Sequence, residues 1–155
     1  MQSYYAIELP NDLRAIEGAV EALTARCREH GFDDERVRLN FRVGVSEALA
    51  NAMLYGNGRD PEKRVRLELT LTPRSVLVRV TDQGRGFDPS AIEDPTLPVN
   101  LHRSGGRGIF LIRKLMDRVE FNECGNSITM ELYMGPREGA GNGADGEDGS
   151  GSERE

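Results

Sequence analysis

No stretch of the 155 residues approaches the roughly 18 consecutive apolar side chains that a membrane-spanning helix requires. The opening Met1-Gln2-Ser3-Tyr4-Tyr5-Ala6-Ile7-Glu8 lacks a basic segment followed by an apolar one, so no export signal is expected and the cytoplasm is the expected location. Cysteine is scarce. Cys27 and Cys124 lack the paired spacing of a metal site, and two are too few for a secreted disulfide scaffold, so both are expected to be reduced structural thiols. An excess of basic side chains is also missing: 20 Lys and Arg stand against 26 Asp and Glu, a net charge of −6. Without a clustered cationic footprint, direct binding of nucleic acid is not expected.

The composition that remains, 37% hydrophobic and 30% charged, is that of a soluble globular chain long enough for one domain with a real core. The charge is unevenly placed. Residues 136–155 hold six acidic and two basic side chains together with six glycines, so this segment carries −4 and the preceding body only −2. So few apolar side chains cannot offset the entropy of ordering, and the expected organisation is a single domain over residues 1–135 followed by a disordered acidic Gly-rich tail over residues 136–155.

Within the body, residues 4–9 read as a first strand closed by Pro10. Asn11 is a good N-cap for a helix running to about His30, with Leu13, Ile16, Val20 and Leu23 on its apolar side and Gly31 as the stop. A second helix is expected from Asp33 or Asp34 to about Tyr55, ahead of the turn-rich Gly56-Asn57-Gly58. Val65, Leu67, Leu69 and Leu71 alternate with polar residues, and Val76, Val78 and Val80 repeat the pattern after a turn at Thr72-Pro73-Arg74, the period-2 signature of half-buried strands. Residues 106–116 read as a helix entered through glycines, and residues 118–122 and 127–133 as a final hairpin. Early helices and later hairpin-linked strands predict an α+β two-layer sandwich: a mixed, mostly antiparallel sheet with helices on one face.

Three constellations carry chemistry. Glu47 and Asn51, four residues apart on the second helix, lie about 40° apart on one face. They sit at the margin of a core stripe formed by Val37, Phe41, Val45, Ala48, Leu49 and Ala52. The pair offers a carboxylate able to take a proton and an amide oxygen suited to Mg²⁺, or else a solvated helix edge. Asp82-Gln83-Gly84-Arg85-Gly86 follows a strand: an acceptor-only carboxylate there can receive an exocyclic amine, and glycines let backbone approach a ligand, although many β-turns read alike. Arg103-Ser104-Gly105-Gly106-Arg107-Gly108 runs into an apolar helix whose exposed N–H groups form a ready phosphate site, with Arg103 and Arg107 able to add charge, unless both arginines are simply solvated. Neither the Walker loop nor the Rossmann fingerprint fits this segment.

Taken in order, Glu-x-x-x-Asn, Asp-x-Gly-x-Gly and Gly-x-Gly opening a helix resemble the N, G1 and G2 boxes of the Bergerat-fold (GHKL) ATPase superfamily, over about residues 5–134. The size and wording, Val45-Ser46-Glu47-Ala48-Leu49-Ala50-Asn51-Ala52 and Gly106-Arg107-Gly108-Ile109-Phe110-Leu111-Ile112, are similar to those of the small bacterial anti-sigma-factor serine/threonine protein kinases, with residues 88–105 corresponding to a short ATP lid. The resemblance implies ATP and Mg²⁺ as cofactors. It implies that Asp82 accepts the adenine amine, that Gly84 and Gly86 let the base lie against backbone, and that Asn51 binds the metal. It further implies that Gly105, Gly106 and Gly108 wrap the phosphates with Arg103 and Arg107 beside them, and that Glu47 is the catalytic base. The implied activity is phosphorylation of an anti-sigma antagonist protein, with sequestration of a sigma factor and homodimerisation. The alternative is a nucleotide-dependent protein-binding module without kinase turnover. With only His30 and His102, and no phospho-acceptor helix ahead of the domain, histidine kinase activity is not expected.

Overall fold

The period-2 pattern produces the sheet it implies. The computed structural model describes residues 2–32, 34–85 and 106–134. Strand β2 (Arg64–Leu71) buries Val65, Leu67, Leu69 and Leu71 completely, and β3 (Ser75–Thr81) buries Val76, Val78 and Val80 on the same side. Flanking them are β1 (Ser3–Pro10), paired with β2, and β5 (Ser127–Tyr133), paired with β3; β4 (Arg118–Phe121) closes the far edge against β5. The order is β1-β2-β3-β5-β4, and every neighbouring pair among the described residues is antiparallel.

One face of this sheet is covered by α1 (Ile16–Glu29), α2 (Glu35–Asn51) and α3 (Gly106–Leu115). The expected stripe on α2 is the core: Val37, Phe41, Val45, Ala48, Leu49 and Ala52 are all buried. Met116, just beyond α3, lies so tightly on α2 that a β-carbon on Gly44 would collide with its Cε. The opposite face is polar, with Glu68 accepting from Tyr4 and pairing with Arg66 and Arg79, and Arg118 pairing with Glu131. These exposed pairs mark the solvated side more than they stabilise it.

Local departures from the expected elements have identifiable causes. Asn11 does not cap the first helix. Asp12 does, accepting from the Arg14 amide at 2.9 Å ahead of a short 3₁₀ turn at Leu13–Ala15, and Leu13 is left exposed. Asn11 instead turns inward and donates to the carbonyls of Met53 and Asp60. Gly31, with φ +91°, does terminate α1. The second helix is α-helical only to Asn51. A π-helical turn at Ala52–Gly56 follows, sealed by the Asn57 amide donating to the Ala52 carbonyl at 2.7 Å. Residues 86–105 and 135–155, which include the lid and tail read from the sequence, lie outside the described residues.

No described helix is long and apolar enough to cross a membrane. Cys27 and Cys124 are both free; Cys27 is buried, which pushes its thiol up to about 12. Phe41 is among the largest fully enclosed side chains. Phe41→Ala is expected to lower the unfolding free energy by about 3–5 kcal/mol in a urea titration, with an unchanged m-value; a loss below about 1 kcal/mol would show that the α2–sheet layer is not the core.

Candidate nucleotide site

A cavity of about 470 Å³ opens between the C-terminal half of α2, the start of α3 and the ends of β3 and β5. Its apolar wall comes from Ala48, Ala52, Val80, Ile109, Ile112 and Ile128, which also belong to or adjoin the core. Polar groups are set around that wall: Asn51 from α2, Asn57 and Lys63 from the segment leading to β2, Asp82 and Gly84 after β3, and Asn126 before β5. An apolar cavity of this size with a few convergent polar groups suits a small ligand with an apolar body and polar margins, as a heterocycle bearing a polar tail has.

At one end, the strand end fixes Asp82. Its amide donates to the Asn126 carbonyl at 2.9 Å, and its Oδ1 accepts from the Gly84 amide at 2.8 Å. Gly56 and Gly84 are required by sterics. A β-carbon on Gly56 would strike the Asp82 carboxylate, and one on Gly84 would strike the Gly56 carbonyl, so the turn that ends α2 lies directly on the Asp82 turn. Burial pushes the Asp82 carboxyl above its ordinary value; the Gly84 amide and the nearby Lys63 charge pull the other way without cancelling it.

At the other end, α3 enters against α2. A β-carbon on Gly108 would stand 2.7 Å from Asn51 Nδ2 and 2.9 Å from Glu47 Oε1, so the glycine of the third constellation touches both polar residues of the first. Asn51 Nδ2 is buried and has no hydrogen-bond partner among the described residues. A buried, unspent amide of this kind is an anomaly unless a ligand satisfies it. Among the described residues no three His, Cys, Asp or Glu side chains cluster to hold a metal. The Asn51 amide oxygen therefore fits a hard cation only as one ligand among phosphate oxygens and water, which is the usual habit of Mg²⁺.

Of the residues singled out from the sequence, the structure brings Asn51, Asp82 and Gly84 to one cavity, with Glu47 and Gly108 at its edge. Gly106 and Arg107 begin α3, whereas Gly86, Arg103 and Gly105 lie outside the described residues. Sequence reasoning missed Tyr55, Gly56, Asn57 and Lys63 as wall residues. Gly56-Asn57-Gly58 reads from the sequence only as a turn, and its position directly after the Asn51 helix is the one signal that points to the cavity.

The α+β sandwich thus brings an acidic strand end, the polar margin of α2 and the start of a glycine-led helix to one largely apolar cavity. Residues 9–132 match the histidine kinase-like ATPase domain, and the chain belongs to that family. Among curated relatives, a protein named serine-protein kinase RsbW from Oceanobacillus iheyensis is 28% identical over 142 residues, covering 87% of this chain and 89% of the relative. Its namesake from Listeria monocytogenes serotype 4a is 25% identical over 145 residues, covering 89% and 92%. That from Staphylococcus epidermidis is 32% identical over 101 residues, covering 60% and 64%.

Because burial raises the Asp82 carboxyl, its charged form destabilises the free protein. The penalty is absent below the ordinary carboxylate range, where both folded and unfolded chains are protonated, and complete above the raised folded value. Asp82→Asn, which keeps an acceptor for the Gly84 amide, is therefore expected to raise the melting temperature at pH 7 and to match the parent as the pH falls below about 4. Scanning calorimetry across pH checks this, and a lower melting temperature at pH 7 would contradict it.

Proposed function

We propose that this chain is an ATP-dependent serine/threonine protein kinase that phosphorylates an anti-sigma antagonist protein and, as an anti-sigma factor, sequesters a sigma factor. The observation that carries the reading is the contact of Gly108 with both Glu47 and Asn51, where Asn51 lines the same cavity as Asp82. A nucleotide lying along the slot has its base at a carboxylate and its phosphates at a helix entrance beside a second carboxylate. The names of the relatives, serine-protein kinases, support the choice of hydroxyl acceptor.

In this reading Asp82 accepts the exocyclic amine of adenine and Gly84 leaves room for the base against the backbone, the role the sequence also assigns to Gly86. The backbone N–H groups of Gly105, Gly106 and Gly108 are assigned to the phosphate chain, and Arg103 and Arg107 to neutralising its charge. Asn51 supplies an amide oxygen to Mg²⁺, which offsets phosphate charge when bound. Glu47 accepts the proton of the serine or threonine hydroxyl as that oxygen bonds to the terminal phosphorus and ADP leaves. Positioning and charge account for most of such a reaction, so this small polar set suffices. Residues 1–135 form the kinase domain and residues 136–155 an acidic Gly-rich extension; the protein works in the cytoplasm without contacting nucleic acid or membrane, and homodimerisation is implied by the family likeness alone. A module that merely held nucleotide would have no use for a carboxylate at position 47.

Two substitutions separate binding from transfer. Asp82→Asn removes a charge-assisted bond and is expected to weaken ATP binding roughly tenfold to a hundredfold in calorimetric titration. Glu47→Gln is expected to bind ATP like the parent while losing about a hundredfold or more of phosphate transfer to the antagonist, followed with radiolabelled ATP. Full turnover by Glu47→Gln would remove the carboxylate from its assigned role.

A further inference from the structure

Asn57 is one of only three buried polar or charged residues identified among the described residues, at 2% exposure, and none of the nucleotide contacts proposed above uses it. Every polar atom of its side chain is engaged. Its Oδ1 accepts from the Gln83 amide at 2.8 Å, and its Nδ2 donates to the Arg64 carbonyl at 3.0 Å and to Asn11 Oδ1 at 3.1 Å. The network extends one step further on each side. Asn11 Nδ2 donates to the carbonyls of Met53 and Asp60, and the Arg64 amide donates to Gln83 Oε1 at 2.8 Å. Gln83, the residue between Asp82 and Gly84, is thereby held at its backbone by Asn57 and at its side chain by the start of β2.

We propose that Asn57 is a positioning residue for nucleotide: it locks the Asp82-Gln83-Gly84 turn to the end of the helix that carries Asn51 and Glu47, and so sets the aim of the Asp82 carboxylate and its distance from the phosphate end. This inference rests on the proposed orientation of ATP in the slot. Asn57 follows Asn51 by six residues through the π-helical turn, whose last bond is its own amide to the Ala52 carbonyl. The contacts of Gly56 with the Asp82 carboxylate and of Gly84 with the Gly56 carbonyl press the same two segments together but are not directional. The Asn57–Gln83 bond supplies the direction. A non-directional contact lets the turn rotate, whereas an amide held at 2.8 Å fixes the peptide plane next to Asp82. Preorganisation of this kind acts on affinity by removing an ordering cost at binding.

The test compares Asn57→Ala with Asn11→Ala in the full chain, measuring melting temperature, ATP dissociation constant, and KM and kcat for phosphate transfer. Asn11→Ala breaks the same network but leaves the Asn57–Gln83 bond, so it is expected to lower the melting temperature with ATP affinity unchanged. Asn57→Ala is expected to weaken ATP binding and raise KM for ATP about tenfold, with kcat changed less than twofold at saturating ATP. A merely structural role would lower the folded fraction, reducing apparent kcat at constant KM, and that result overturns the inference. Amide hydrogen exchange in the nucleotide-free parent is the second measurement, independent of any variant: the Gln83 amide is expected to be protected, and fast exchange there overturns the inference as well. A parent chain that binds no ATP overturns the proposed orientation itself, whereas a parent that binds ATP with Asn57→Ala unimpaired overturns only the role of Asn57.

Discussion

The approach of α3 to α2 at Gly108 is the constraint on which the site depends. A side chain at that position would occupy the space beside Glu47 and Asn51, and α3 could not approach α2 as closely as it does. The contact is possible because α2 turns its apolar stripe to the sheet and leaves its polar margin at the seam between the helices. Farther along the same seam, Gly44 admits Met116 and Asn40 donates to the Leu115 carbonyl at 2.9 Å, so small residues and one side-chain bond hold the two helices close. The polar pair and the glycine are thus brought together by packing that is otherwise apolar.

The two ends of the cavity are built differently. The Asp82 end is fixed by hydrogen bonds from its own backbone, from Gly84 and, through Gln83, from Asn57. The Asn51 end has a buried amide nitrogen with no partner among the described residues. A finished, desolvated acceptor at one end discriminates among ligands before they bind, because an unpaired carboxylate in such a place is costly to leave unmatched. An unspent amide at the other end gains its bond only when a ligand arrives. The raised Asp82 carboxyl and the orphaned Asn51 amide both cost the free protein local stability, the kind of cost a cavity built for a ligand carries.

Much of this was legible in the chain because the informative patterns are local. Alternating Val and Leu identify β2 and β3, and their register follows because a slip of one residue would turn the whole apolar set to solvent. Asp82, Gly84, Glu47 and Asn51 were legible because their spacing is short and their residue types are chemically restrictive. Asn11 and Asn57 were not. Each looks like an ordinary polar turn or cap residue, and each is drawn inward by distant partners, 42 to 49 positions away for Asn11 and 26 and 46 for Asn57, whose third partner, Arg64, is 7 away. Nothing local distinguishes an asparagine that caps a helix from one that bridges three segments. The π-helical turn was illegible for the same reason, since the period of α2 continues smoothly through Ala52 and Met53 while the hydrogen bonds change.

That hidden pair explains why the segment between α2 and β2 can be polar and glycine-containing without loosening the site. Gly58 and Arg59 adopt φ values of +62° and +63°, so the chain reverses tightly just after Asn57 and before the cavity wall residue Lys63. The turn pairs part of its own backbone, the Arg59 amide donating to the Met53 carbonyl and the Lys63 amide to that of Asp60. Asn11 adds a second donor to the Met53 and Asp60 carbonyls, and Asn57 donates to the carbonyl of Arg64. With those groups satisfied, the turn can bring Lys63 to the Asp82 end, where its charge partly opposes the desolvation of the carboxylate. The residues that complete the backbone of the turn therefore also hold the cavity wall on the Asp82 side, Asn57 directly through the Gln83 amide and Asn11 one step removed, through Asn57.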